Sequence, residues 1–175
     1  KKGSIVKIKY SDRLKNNDVD NESNSMYIFN DELEYQVDTC ILSSKEDYYH
    51  PKFVYHGFRY VVIEGEVNIK SPKAIFTHTN FKRTGFLKTN NEILNKLYNM
   101  TIQAIESNYL GIPTDCPHRE KNGWTGDAQL SLETSIYTFN MHQSYKKWLD
   151  DFIVSQRPCG QIPCIIPTCG WGFDW

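Results

Sequence analysis

Three carboxylates, Asp115, Glu120 and Asp127, fall within the single stretch Ile112-Pro113-Thr114-Asp115-Cys116-Pro117-His118-Arg119-Glu120-Lys121-Asn122-Gly123-Trp124-Thr125-Gly126-Asp127-Ala128-Gln129, with Arg119 and Trp124 between them. No other part of the chain is so dense in functional groups. Spaced by five and then seven residues, the three do not all share one helical face, since a step of five turns to the far side, so loop geometry must gather them. Pro117, Gly123 and Gly126 are residue types that let a backbone turn sharply. Carboxylates beside an indole ring suit the cleavage of glycosidic bonds. One carboxylic acid, kept protonated by apolar or like-charged surroundings, delivers its proton to the departing oxygen. Other carboxylates accept from sugar hydroxyls, a Trp face packs on the C–H side of a sugar ring, and Arg offers fixed donors.

Each residue also has a purely structural use. Asp127 stands at a helix start, where a carboxylate satisfies free backbone N–H groups. Asp115, two residues before Pro117, suits an Asx turn. Arg119 with Glu120 would suit an exposed ion pair, Trp124 a core anchor, and Cys116 a small buried apolar group. The catalytic reading rests on all of them crowding one interhelical loop.

Two kinds of element must hold this loop. The first eighty or so residues alternate in the manner of strands: Val6, Ile8 and Tyr10 keep a period of two, and so do Tyr35, Val37, Thr39 and Ile41. Residues 15–24 are rich in turn formers and read as a surface loop. Phe53–Ile63 is aromatic and β-branched, a sandwich strand with Gly57 where a bulge or a close backbone approach fits. After Thr84-Gly85-Phe86 the period becomes helical. Thr89 with Glu92 forms a capping box for a helix with an apolar stripe through Ile93, Leu94, Leu97, Tyr98, Thr101, Ala104 and Ile105. A second helix over about 127–139 is apolar on most sides and reads as buried; a third over about 141–155 turns Met141, Tyr145, Trp148, Leu149, Phe152 and Ile153 inward. Strands followed by helices without alternation predict two domains, divided at about residue 80.

Composition narrows the function. The 175 residues carry 20 Lys and Arg against 21 Asp and Glu, a net charge of -1, with no basic cluster, which argues against nucleic acid as a partner. No apolar run approaches the roughly 20 residues that span a bilayer. Lys1-Lys2-Gly3-Ser4 leads into an alternating segment and not an apolar signal core, so the expected location is cytoplasmic, with secretion or the periplasm as alternatives. Of five cysteines, Cys159, Cys164 and Cys169 recur every five residues. Zinc ligand pairs sit closer, two to four residues apart, so reduced thiols are expected and a metal site is not.

The run from Thr114 to Lys121 continuing into Gly123–Gln129 resembles the signature of bacterial α-L-rhamnosidases of glycoside hydrolase family 78. Upstream, Tyr35–Leu42 and Phe53–Val61 are similar to landmark strands of the β-sandwich that precedes the family's catalytic barrel, and Arg83-Thr84-Gly85-Phe86 is similar to the approach to that barrel. The resemblance implies a multi-domain β plus α fold. A partial concanavalin-like, jelly-roll-like β-sandwich over 1–80 leads into the first helices of an (α/α)6 six-hairpin barrel over 81–175. It implies inverting hydrolysis of terminal α-L-rhamnosyl groups, a rhamnose-containing glycoside or oligosaccharide as partner, and no metal or organic cofactor. By position in the motif, Glu120 matches the general acid, and Asp115, Arg119, Trp124 and Asp127 match residues that hold rhamnose. His118 stands where many members have Gln. The family's general base comes from later in the barrel, so the chain is expected to be a fragment that is inactive by itself. Glu133 matches no base position, and Trp171 and Trp175 suit either a pocket wall or barrel packing. A non-catalytic carbohydrate-binding module and a six-hairpin glycosidase of other sugar specificity are the alternatives; oligomeric state is not readable.

Overall fold

The computed structural model describes residues 2–20, 35–43, 46–168 and 170–173. The chain divides into a β unit, built from residues up to Phe76 together with Cys116–Glu120, and a helical unit, built from Thr77–Asp115 and from Lys121 onward. The loop predicted over 15–24 is described only to residue 20, and Cys169 and Trp175 lie outside the described residues.

In the β unit, β1 (Ile5–Ser11) is the centre of a three-stranded antiparallel sheet. It is flanked by β4 (Val37–Ile41) and β5 (Tyr60–Glu64), with Val6 opposite Cys40 and Ile8 opposite Ile63. Two short strands, β2 (Leu14–Lys15) and β3 (Asp18–Val19), form a hairpin beside it. The period of two holds on β1, where Val6 and Tyr10 are buried. On β4 it also holds, with the faces exchanged: Ile41 is exposed, while Gln36, just before the strand, is buried and the Asp38 side chain is nearly so. Hydrogen bonding explains the exchange, because Tyr10 and His56 both meet the Asp38 carboxylate. The strand predicted over 53–63 is ordered as a strand only from Tyr60, and Gly57 belongs to the irregular segment before it.

The helical unit holds α1 (Glu92–Ser107), α2 (Thr125–Thr138) and α3 (His142–Ser155). A ribbon of β6 (Lys82–Arg83) and β7 (Phe139–Asn140) ties the unit's first residues to the α2–α3 link. Gly85 lies on the end of α2, where a Cβ would stand 2.0 Å from the Tyr137 carbonyl oxygen, so glycine alone fits. The expected Thr89 capping box is replaced by an Asn91 cap, whose Oδ1 accepts from the amides of Ile93 at 2.9 Å and Leu94 at 3.3 Å. Thr89 braces that cap instead, accepting the Asn91 amide at 3.0 Å.

Two apolar clusters hold the helices. Ile102, Tyr109, Phe139 and Met141 form one, and Ala128, Trp148 and Ile166 the other, with Tyr145 packed against both. The third helix matches its predicted face at Met141 and Trp148, while Leu149 and Ile153 are exposed. On the second helix Leu130, Ile136 and Tyr137 are 81%, 51% and 72% exposed, so the burial expected of it is not supplied by the described residues of this chain. Within α2 only Ala128, Ser135 and Thr138 are buried, so its packing uses a narrow face of small residues.

Candidate active site

Asp115 and Asn122 close the neck of the loop. The Asp115 amide donates to the Asn122 carbonyl at 3.0 Å, and the Asn122 amide donates back to Asp115 Oδ1 at 2.9 Å. Lys121 makes the return at a φ of 54°, the left-handed region, which costs an L-residue about 1–2 kcal/mol; the paired neck holds it there. Asn122 carries no catalytic signature in the sequence, although Asn-Gly is a turn signal that marks this place.

Between the neck residues, the turn Cys116–Glu120 packs as part of the β unit. The Glu120 amide donates to Cys116 Sγ at 3.2 Å, so Cys116, expected as a small buried apolar group, also fixes the backbone that carries Glu120. The Pro117–His118 backbone lies directly on Gly57, where a Cβ would stand 2.7 Å from the Pro117 carbonyl. Of the two roles foreseen for Gly57, close approach is the one observed. The Arg119 Nε is buried and has no hydrogen-bond partner among the described residues.

Beyond the neck, residues 123–125 pair with 164–166 in the helical unit. The Ile166 amide donates to the Gly123 carbonyl at 2.9 Å and the Thr125 amide to the Cys164 carbonyl at 2.8 Å. Thr125 Oγ1 adds a second bond to that carbonyl at 3.1 Å. Gly123 is again required by contact, since a Cβ would lie 1.9 Å from the Ile166 carbonyl oxygen. Ile165 and Ile166 are fully buried, and Trp148 Nε1 donates to the Ile166 carbonyl at 2.8 Å. The cysteine-bearing tract thus supplies a partner strand for the motif. Among the described residues no group of three or more His, Cys, Asp and Glu could hold a metal ion, and Cys164 Sγ contacts the Gly172 carbonyl at 3.0 Å.

This pairing places Trp124, which is half-buried with its ring edge-on to Trp171 at 6.1 Å. The indole is therefore a wall backed by a second indole. Asp127 is the third residue of α2 and exposed, a first-turn carboxylate in the positive field of the helix start. The candidate residues are thus held by two separate supports: Glu120 and Arg119 sit in the turn of the β unit, whereas Asp115, Trp124 and Asp127 belong to the helical unit.

The same stretch lies in a region with known relatives. Residues 82–175 match the bacterial alpha-L-rhamnosidase 6 hairpin glycosidase domain, and residues 1–83 match the bacterial alpha-L-rhamnosidase concanavalin-like domain. The chain belongs to the bacterial α-L-rhamnosidase family. An α-L-rhamnosidase of Formosa agariphila is 39% identical over 117 residues, covering 65% of this chain and 12% of that protein. One of Streptomyces avermitilis is 33% identical over 163 residues, covering 90% and 16%. Among solved structures, the α-L-rhamnosidase from Dictyoglumus thermophilum superposes with a TM-score of 0.83 at 32% identity, over 99% of this chain and 20% of that one. The Streptomyces avermitilis α-L-rhamnosidase complexed with L-rhamnose gives 0.78 at 30% identity, over 97% and 16%. The chain thus spans 12% to 20% of the length of these rhamnosidases. The expected fold class, a concanavalin-like β domain followed by helices of a six-hairpin glycosidase domain, holds across both family matches.

Proposed function

We propose that this chain is part of an inverting α-L-rhamnosidase and that Glu120 is its general acid. The observation that carries the reading is the match of residues 82–175, which contain the carboxylate-rich loop, to the rhamnosidase glycosidase domain. In the proposed reaction the Glu120 carboxyl gives its proton to the glycosidic oxygen as the bond to the anomeric carbon breaks. Water enters from the opposite face, and a second carboxylate, about 6.5–9.5 Å from the acid in inverting enzymes, takes the water's proton. Rhamnose carries no charge, so its hydroxyls are held by hydrogen bonds. Arg119 is suited to this: a sugar oxygen would satisfy its buried Nε. Asp115 and Asp127 are assigned to accept from hydroxyls, and Trp124 to pack on the ring or the deoxysugar's methyl group.

The test is Glu120→Gln in the intact enzyme that carries this segment, assayed on two rhamnosides. With an alkyl aglycone, which needs protonation to leave, turnover falls about 10²–10⁴-fold. With a nitrophenyl aglycone, a good leaving group, the loss is far smaller. Equal losses on both substrates would show that Glu120 is not the acid.

A further inference from the structure

Two segments similar to landmark strands of the family, 35–42 and 53–61, have no part in the mechanism above, yet both converge on Gly57. The Gln36 side chain holds both backbone groups of that glycine: Nε2 donates to the Gly57 carbonyl at 2.8 Å, and Oε1 accepts the Gly57 amide at 2.8 Å. Gln36 is itself fixed. It is 6% exposed, adopts a φ of 52°, and its carbonyl accepts the Tyr10 amide at 2.9 Å. The neighbouring His56 is anchored in the same way, with Nε2 3.0 Å from Asp38 Oδ1 and its ring stacked on Tyr10 at 4.1 Å. Tyr10 completes the group by donating to Asp38 Oδ2 at 3.1 Å. Buried amides and carboxylates satisfied in this way rigidify what they hold.

What they hold is a surface without a side chain. A Cβ on Gly57 would stand 2.7 Å from the carbonyl carbon and oxygen of Pro117 and 2.9 Å from the amide nitrogen of His118. The peptide bond between those residues therefore rests on Gly57, and Glu120 follows two residues later in the same turn. We propose that Gln36 and Gly57 are positioning residues for acid catalysis: they form a seat in the β domain that sets where the Glu120 carboxyl points. The proposal rests on Glu120 being the acid. It makes the β domain a working part of proton delivery.

The experiment uses the intact enzyme with Gly57→Ala, Gln36→Leu, Glu120→Gln and the Gly57→Ala/Glu120→Gln pair. Gly57→Ala must push the Pro117–His118 backbone off its seat, and Gln36→Leu keeps the bulk while removing both bonds to Gly57. Misplacing a catalytic group by about 1 Å can cost about 100-fold, so kcat on the alkyl rhamnoside should fall about 10- to 100-fold in each single variant. On the nitrophenyl rhamnoside kcat should change less than about 3-fold, with KM for both substrates nearly unchanged, because proton delivery matters little there. The alkaline limb of the pH–rate profile, which reports the acid, should move, and Gly57→Ala should cost nothing further once Glu120 is Gln. If Gly57→Ala does not fold, Gln36→Leu decides by the same criteria. Equal losses on both substrates, or losses that multiply in the paired variant, would overturn the seat while leaving Glu120 as the acid. A Glu120→Gln enzyme without leaving-group dependence would remove the acid assignment, and the seat with it.

Discussion

One oxygen of the Asp115 carboxylate is committed to the Asn122 amide, so this residue closes a loop whatever it does to a sugar. The two duties separate by substitution. Asp115→Ala leaves the Asn122 amide without its acceptor and should lower the unfolding free energy by about 1–3 kcal/mol. Asp115→Asn keeps an oxygen in place and should lose less than half as much, while still weakening rhamnose binding through the lost charge. Urea denaturation beside calorimetric titration of rhamnose checks both; equal stability losses would mean that the neck bond needs the charge. Asp115, suited by its sequence context to an Asx turn or a sugar contact, instead reaches across the loop to the Asn122 amide seven residues on, because Pro117 at the Asx-turn position has no N–H to give. Residue identity pointed to the loop because carboxylates, Arg and Trp crowd one short stretch. The partners of those groups were hidden: Asn122 and Cys116 act through a backbone amide and a sulfur, interactions that leave no compositional mark.

Elements were legible where a period was strong, and their faces were not. Alternation marked β4 correctly but could not say which side is buried, because the inward residues Gln36 and Asp38 are polar and held by hydrogen bonds. The apolar stripe of α1 marked a helix, and the start was misassigned because Thr89 and Asn91 are both good caps two residues apart. Asn91 wins because its Oδ1 reaches two free amides at once. Replacing it by Ala should cost about 0.5–2 kcal/mol, and Asn91→Ser should recover most of that; thermal denaturation of the two variants measures it. A neutral Asn91→Ala would show that the Thr89–Asn95 hydrogen bonds alone hold the helix start. The all-round apolar character of α2 is only partly used within this chain, where its small residues pack and its large ones are exposed.

Across the whole molecule, both units bury tyrosines, and this sets a response to alkali. In the β unit burial raises the hydroxyl pKa of Tyr10, with the Asp38 charge adding to it. In the helical unit burial likewise raises Tyr109 and Tyr145. A raised value in the folded chain means that the neutral hydroxyl is favoured there, so the contribution is complete below the ordinary value of 10.0 and declines progressively as pH rises above it. The urea midpoint should fall steeply above that value, with tyrosinate absorbance appearing as the protein unfolds; a flat midpoint would contradict it. One further consequence concerns time. Gln36 and Gly57 precede the turn that rests on them, so the ribosome releases the seat of Glu120 before Glu120 itself. The partner strand of Trp124 comes later, with Cys164 following Thr125 by 39 residues. At a synthesis rate of about 5–20 residues per second that is a delay of roughly 2–8 s, during which Gln36 and Gly57 are already available to the Cys116–Glu120 turn while the Trp124 segment has nothing to pair with.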